Sequence, residues 1–230
     1  YLRRKGLVMP ERLIFDCWCA YGPRPGKDVE ARWTLDHLRS DLDFYGIAGA
    51  LVRHEQAYYY DAMQANRRMM RQIAGDRDRL FPCWTVLPHQ AGDFPEPREL
   101  ARMLEGEDVR AVCLRPARNA YPIHRDILGP LAEVLNPRRM PILTTIADLK
   151  ESYDAAVTFC ELFEDCPVII GESNWGQWRL MLAILDRYPN ARIECHLFQA
   201  NRAVEFLAAR YGIGRVLFGS GLLVHSAGAA

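Results

Sequence analysis

The 230-residue chain contains no apolar run approaching the ~20 residues that span a bilayer, so no membrane-spanning helix is expected. It also lacks net charge, because 29 basic residues are balanced by 29 acidic ones. No whole-chain field therefore favours nucleic acid or an anionic membrane. Local basic groups such as Arg67, Arg68 and Arg71 are answered by Asp76 and Asp78, the pattern of a solvated helix face. No Gly-x-Gly-x-x-Gly follows an early strand, which argues against a doubly wound dinucleotide fold. Phosphate loops, zinc fingers and basic–aromatic motifs are missing as well. Gly219-Ser220-Gly221 lacks the strand-to-helix context of a nucleophile elbow, and no Ser-His-Asp order supports one. The start, Tyr1-Leu-Arg-Arg-Lys-Gly6, is charged but no apolar core follows it, so it does not read as a secretory signal. An initiator Met is missing too, and the chain is expected to be processed or cut from something longer.

The seven cysteines, Cys17, Cys19, Cys83, Cys113, Cys160, Cys166 and Cys195, are odd in number, and most lie in apolar runs. That usage fits reduced, buried thiols and a cytoplasmic location better than a disulfide framework. Half of the residues are hydrophobic, enough for a sizeable core in a globular protein.

Eight short apolar runs read as strands: Leu13–Phe15, Ile47–Val52, Leu80–Val86, Val109–Leu114, Pro141–Thr145, Pro167–Ile170, Ala191–Cys195 and Arg215–Phe218. They recur about 30 residues apart, the length of one βα unit. Most are continuous in apolar residues, as strands covered on both faces must be. Helical stripes lie between them: Leu35, Leu38, Leu42 and Tyr45, closed by Gly46; Trp178, Met181, Leu182 and Leu185; and Val204, Leu207, Ala208 and Tyr211, closed by Gly212. Eight repeats without a linker predict one α/β domain over residues 1–230, a (β/α)₈ TIM-type barrel. After Phe218 about a dozen residues remain, too few for a full eighth helix of three turns. The barrel is therefore expected to be open there or truncated.

Several segments carry a family resemblance. They are Asp16-x-x-x-x-x-Gly22, Tyr45-Gly-Ile-Ala-Gly-Ala-Leu-Val52, Arg79-Leu-Phe-Pro82, Val109-Arg-Ala-Val-Cys-Leu-Arg-Pro116, Met140-Pro-Ile-Leu-Thr-Thr145, Tyr188-Pro-Asn-Ala-Arg-Ile-Glu194 and Gly214-Arg-Val-Leu-Phe-Gly-Ser220. Together, in this order, they resemble the amidohydrolase-related branch of the amidohydrolase superfamily, from Leu13 to Ser226. The resemblance implies hydrolysis or decarboxylation of a small carbon–nitrogen or carboxylate-bearing compound at the C-terminal mouth of the barrel. It also implies a divalent metal held by histidines on strands one, five and six and an aspartate after strand eight. Here the corresponding residues are Trp18, Ala20, Thr145, Glu172 and Gly221, so the family's metal site is expected to be degenerate and no cofactor is assigned.

The remaining residues supply the candidate site. Glu172, at the end of strand six, has the position of a general base, or else caps a helix or pairs with an arginine. His196, closing strand seven, is an acid–base candidate; His225 more naturally has a surface role. Arg115 can grip an anionic substrate or pair with Glu172 or Asp16. Trp18 either plugs the lumen or offers a flat platform to a ring-bearing ligand. Thr145 and Asn174 complete the substrate-binding set, Asn174 being equally suited to an N-cap. His37, His54, His89 and His124 are read as structural. Strand alternation turns Asp16, Trp18 and Ala20 into the lumen and Cys17 and Cys19 outward. A one-residue slip would instead bring Cys17, Cys19 and Glu172 together as a re-sited zinc centre.

The expected function is thus a hydrolase-like barrel acting on or binding a small polar or anionic molecule. The alternatives are a catalytically silent barrel serving as a binding or assembly subunit, and a hydrolase with a re-sited metal. The sequence does not indicate the oligomeric state.

Overall fold

The computed structural model describes residues 13–25 and 32–225. The N-terminal Tyr1–Gly6 stretch and the tail after His225 lie outside the described residues. Eight parallel strands form one sheet in strict sequence order: β1 (Ile14–Tyr21), β2 (Ile47–His54), β3 (Leu80–Thr85), β4 (Ala111–Cys113), β5 (Ile142–Thr145), β6 (Val168–Gly171), β7 (Ala191–Glu194) and β8 (Val216–Leu217). Each overlaps the apolar run that predicts it. The helices between them are α1 (Leu35–Tyr45), the single-turn α2 (Gln56–Tyr59), α3 (Ala62–Gln72), α4 (Pro97–Gly106), α5 (Arg125–Leu135), α6 (Tyr153–Leu162), α7 (Trp178–Arg187) and α8 (Ala203–Tyr211). This is the (β/α)₈ barrel that the spacing predicts.

Local chemistry sets the helix ends. Thr34, Asp61 and Ser152 accept hydrogen bonds from the backbone N–H groups of His37, Gln64 and Ala155, capping α1, α3 and α6. Gly46 ends α1 at φ 68°, the left-handed conformation expected of a C-cap. In α8 Leu207 is buried and Tyr211 packs against the core as predicted, while Ala203 takes the place of the exposed Val204 in the stripe.

The ring closes between β1 and the segment after β8. Cys17 N–H donates to Phe218 O (3.0 Å), Ala20 N–H to Leu222 O (2.6 Å) and Gly221 N–H to Trp18 O (3.0 Å). Asp16, fully buried, ties the same seam: Oδ1 accepts from Trp18 N (2.8 Å) and Ser220 N (3.0 Å), and Oδ2 from Ser220 Oγ (2.5 Å). Residues after β8 thus bridge the seam although β8 itself is not paired with β1, and the barrel is nearly closed there. Among the described residues no helix follows β8; Leu222–Val224 form a turn.

Two apolar cores result. The larger lies between strands and helices and includes Cys19, Tyr21, Val52, Leu114 and Ile170. The smaller fills the barrel with Cys17, Trp18, Leu51, Cys83, Ala111, Cys113, Leu143 and Ile169. Cys17 thus lies inside beside Trp18, not outward as alternation predicts. The reason is a register shift in β1 between Asp16 and Cys19, where the Asp16 carboxylate takes the Trp18 N–H and two successive side chains turn inward. No helix among the described residues is long and apolar enough to cross a membrane.

His54, at the end of β2, is buried against Tyr21 and Gly22; a Cβ at Gly22, where φ is 107°, would lie 2.7 Å from the imidazole. Burial, aided by Arg68, lowers the His54 pKa from 6.5 to about 4. A depressed histidine contributes stability above its unfolded pKa, and that contribution is lost as pH falls toward the folded value. Thermal melts should therefore show an acid limb between about pH 6.5 and about pH 4 that is flattened in His54→Gln. An unchanged limb would show that the His54 pKa is the same in the folded and unfolded states.

Candidate active site at the mouth of the barrel

A cavity of about 260 Å³ opens at the C-terminal ends of the strands, where barrel enzymes keep their working groups. Trp18, Arg115, Glu172 and His196, all predicted from sequence, border it together. Thr145 and Asn174 do not border it. Thr145 is fully buried and donates its hydroxyl to Asp148 Oδ2 (2.5 Å). Asn174 is exposed and closes a capping box with Gln177 at the turn before α7. Arg24, Arg53, Glu55, Tyr58, Tyr59 and Cys113 also line the cavity and were not anticipated from the sequence.

Trp18 sets the floor. Its indole lies against Gly171 on β6, where a Cβ would meet the ring at 2.8 Å, and its own Cβ lies 2.5 Å from the place of a Cβ on Gly219. Arg53 covers the indole face, its guanidinium carbon 4.3 Å from the ring centroid. The tryptophan thus fills the lumen, and the face expected to serve as a platform is already occupied by a cation.

The arginines differ in balance. Arg115 donates Nε to Asp148 Oδ2 and Nη2 to Tyr58 Oη (2.6 Å), and Glu172 Oε2 lies 3.8 Å away. Asp148 is satisfied further by Thr145 Oγ1 and by Arg118 N (3.2 Å). Arg115 is therefore ion-paired within the protein, and Glu172, about a third exposed, leans on it from the rim. Glu172 adopts φ 56°, a left-handed conformation that residues with a Cβ seldom hold. Arg53 is 9% exposed and has no carboxylate within 4.0 Å among the described residues; its hydrogen bond is to Cys113 Sγ at 3.8 Å. Glu55 is the nearby carboxyl that burial pushes up, against the pull of Arg53 and Arg115.

His196 is held by Glu194, which is fully buried. The histidine donates its backbone N–H to Glu194 Oε1 (2.6 Å), and its Nδ1 lies 2.6 Å from Oε2. A carboxylate there fixes the proton on Nδ1 and leaves Nε2 for the cavity. His225 stacks beside it, ring centroids 5.2 Å apart, with its pKa lowered by burial and by His196.

A metal in the place the family resemblance implies does not fit these residues. Trp18, Ala20 and Gly221 offer no donor, and the Thr145 hydroxyl is bound to Asp148. A Cβ on Gly221 would lie 2.5 Å from His196 Cδ2, so a ligand side chain is excluded there by space. Cys17 and Cys19 lie in different cores, on opposite sides of the sheet, and so cannot join Glu172 around one ion. Among the described residues no group of three or more His, Cys, Asp or Glu side chains is arranged to hold a metal.

The close fit of Trp18 to Gly171 predicts strong coupling. Gly171→Ala should lower stability by about 1–3 kcal/mol in urea melts, and most of that loss should disappear in a Trp18→Leu background. Equal losses in both backgrounds would show that the glycine serves something other than the indole.

No curated protein matches the chain. Among solved structures it is similar to an uncharacterised TIM-barrel protein from Bordetella bronchiseptica (TM-score 0.69, 15% identity, covering 94% of this chain and 88% of that one). It is also similar to 5-carboxyvanillate decarboxylase from Sphingomonas paucimobilis (0.68, 12%, 94% and 91%). A third is 2,6-dihydroxybenzoate decarboxylase from Rhizobium (0.65, 14%, 95% and 91%). At these identities the likeness is one of fold. The sequence itself matches the amidohydrolase family from residue 16, at the barrel's closing seam, to residue 225, at the rim of the cavity, and the chain belongs to that family.

Proposed function

We propose that this protein binds a small carboxylate-bearing molecule, best an aromatic acid, at the C-terminal mouth of its barrel, and that it does so without the metal of its relatives. The observation that carries this reading is Arg53, a buried guanidinium on the cavity wall that lacks a carboxylate partner among the described residues. Glu55 and Glu172 act on this buried cation only from beyond salt-bridge range, and an anionic ligand would give it the close partner it lacks. Arginine also offers a fork that matches a carboxylate. Tyr58 and Tyr59 line the same cavity, with Arg115 over the Tyr58 ring (4.3 Å) and Arg118 over both rings (4.7 and 4.6 Å), so the wall is aromatic and cationic together. The cavity is just below the ~300–1,000 Å³ usual for small-molecule sites, which suits a single ring. Two solved structures of the same fold are decarboxylases named for aromatic acids, 5-carboxyvanillate and 2,6-dihydroxybenzoate, and that chemistry is carried here as part of the proposal.

In this reading Arg53 orients the carboxylate, with Arg115 adding to the field. His196, through Nε2, moves protons to or from the bound molecule, and Glu172 assists from the rim. Thr145 holds Asp148, and Asn174 caps its turn; neither touches the ligand. The reaction class is hydrolysis or decarboxylation, and we place the protein in the cytoplasm, in keeping with its seven free cysteines.

Isothermal titration with benzoate and 2,6-dihydroxybenzoate tests the reading. Binding is expected in wild type and should weaken about tenfold or more in Arg53→Met, the range for a lost charged hydrogen bond. Absence of binding to any aromatic acid, or equal binding by both proteins, would contradict it. Where turnover is found, His196→Gln should retain binding and lower the rate by about 10²–10⁴. Binding with no turnover, and with His196→Gln indistinguishable from wild type, identifies the silent binding barrel instead.

A further inference from the structure

Cys113 ends β4 and is the one cysteine, among the described residues, on the wall of the mouth cavity. Its sulfur lies 3.8 Å from Arg53 Nη1. Arg53 is nine-tenths buried, borders the same cavity and has no carboxylate within 4.0 Å among the described residues. Arg115 follows two positions along the chain and borders the cavity too. Cys17 and Cys83, the other thiols of the interior core, lie off this wall, and burial holds their thiols protonated. Cys113 is 2% exposed, yet it borders the cavity beside two guanidinium groups, where a carboxylate held by them would bring an electrophile to the sulfur.

We propose that Cys113 is a nucleophile that captures small carboxylate-bearing electrophiles, α,β-unsaturated acids being the natural class, with Arg53 holding the carboxylate. This rests on the reading of the cavity as an anion site. The thiolate sulfur forms a bond to the β-carbon, and the π electrons of the double bond shift to the α-carbon. The α-carbon then takes up one proton, replacing the one lost by the thiol. The net change is addition of S–H across the double bond, and neither oxidant nor co-reactant is needed. A buried structural thiol would instead be inert.

Alkylation of the native protein decides between them. Iodoacetate is a small anionic electrophile, and iodoacetamide is its neutral counterpart. With either reagent a carbon–sulfur bond forms as the carbon–iodine bond breaks, iodide departs and the thiol proton goes to solvent. Each reagent is applied separately at a limiting level, and modification is read by peptide mass mapping. Cys195, partly exposed at the end of β7 and off the cavity wall, is the reference in each sample.

The ratio of Cys113 to Cys195 labelling should be about tenfold or more higher with iodoacetate, the lower range of electrostatic focusing in a cleft. Saturating benzoate should suppress it, and Arg53→Met should abolish the preference. Should that variant fail to fold, benzoate protection of wild type gives the same information. If Cys113 stays unlabelled by both reagents while benzoate binds, this inference is overturned and the anion site stands. If both reagents label Cys113 equally and benzoate neither binds nor protects, the inference and the anion site fall together.

Discussion

One buried contact organises the mouth of this barrel: the indole of Trp18, seated against Gly171 and Gly219 and covered by the Arg53 guanidinium. Gly171 on β6 leaves room for the ring, and Gly219, just after β8, leaves room for the Trp18 Cβ. The Glu194 carboxylate crowds the same place at Gly219, so β1, β7 and the segment after β8 meet there. Interiors packed this closely do not admit an extra group without moving a neighbour. The indole therefore determines both what fills the lumen and what the cavity above it can hold.

Charge balance follows from the same arrangement. Asp16 accepts hydrogen bonds at the barrel seam, Glu194 accepts from His196, and Asp148 accepts from Arg115 and Thr145. Each buried carboxylate thus has its partners nearby, as low-dielectric surroundings require. Arg53 differs, since its neighbours are an aromatic face and a thiol. The mouth therefore carries a cation that the described residues leave without an ion pair, flanked by a histidine whose tautomer is fixed. In the proposed reading such a site recognises an anion and exchanges a proton with it. The fold resembles that of decarboxylases, but identities of 12–15% leave the chemistry of the mouth to be argued from these residues alone.

Much of the scaffold was legible because it rests on short-range pattern. Strands covered on both faces must be apolar throughout, and every strand lies within or overlaps its apolar run. The strand-end positions of Glu172, Arg115 and His196 could be read directly. Arg53 was missed although the same signal marks it, an arginine closing an apolar strand in Leu51-Val52-Arg53. Its importance depends on a missing partner, which only three dimensions reveal. Asp148 was hidden for the complementary reason, because its grip on Arg115 spans 33 positions. Thr145 lies off the cavity wall, where a local side-chain bond claims its hydroxyl three residues on. Cys17 was misplaced because a carboxylate two positions away shifts the strand register, and simple alternation cannot anticipate that.

The account turns on the proposal that this barrel, its mouth floored by Trp18 under Arg53, binds its ligand without a metal. Elemental analysis of the purified protein, after equilibration with zinc and manganese and removal of unbound ions, tests it most directly. The account predicts metal far below one ion per chain, with no change in Glu172→Ala. One tightly held ion per chain, lost when Glu172 or His196 is replaced, would contradict it.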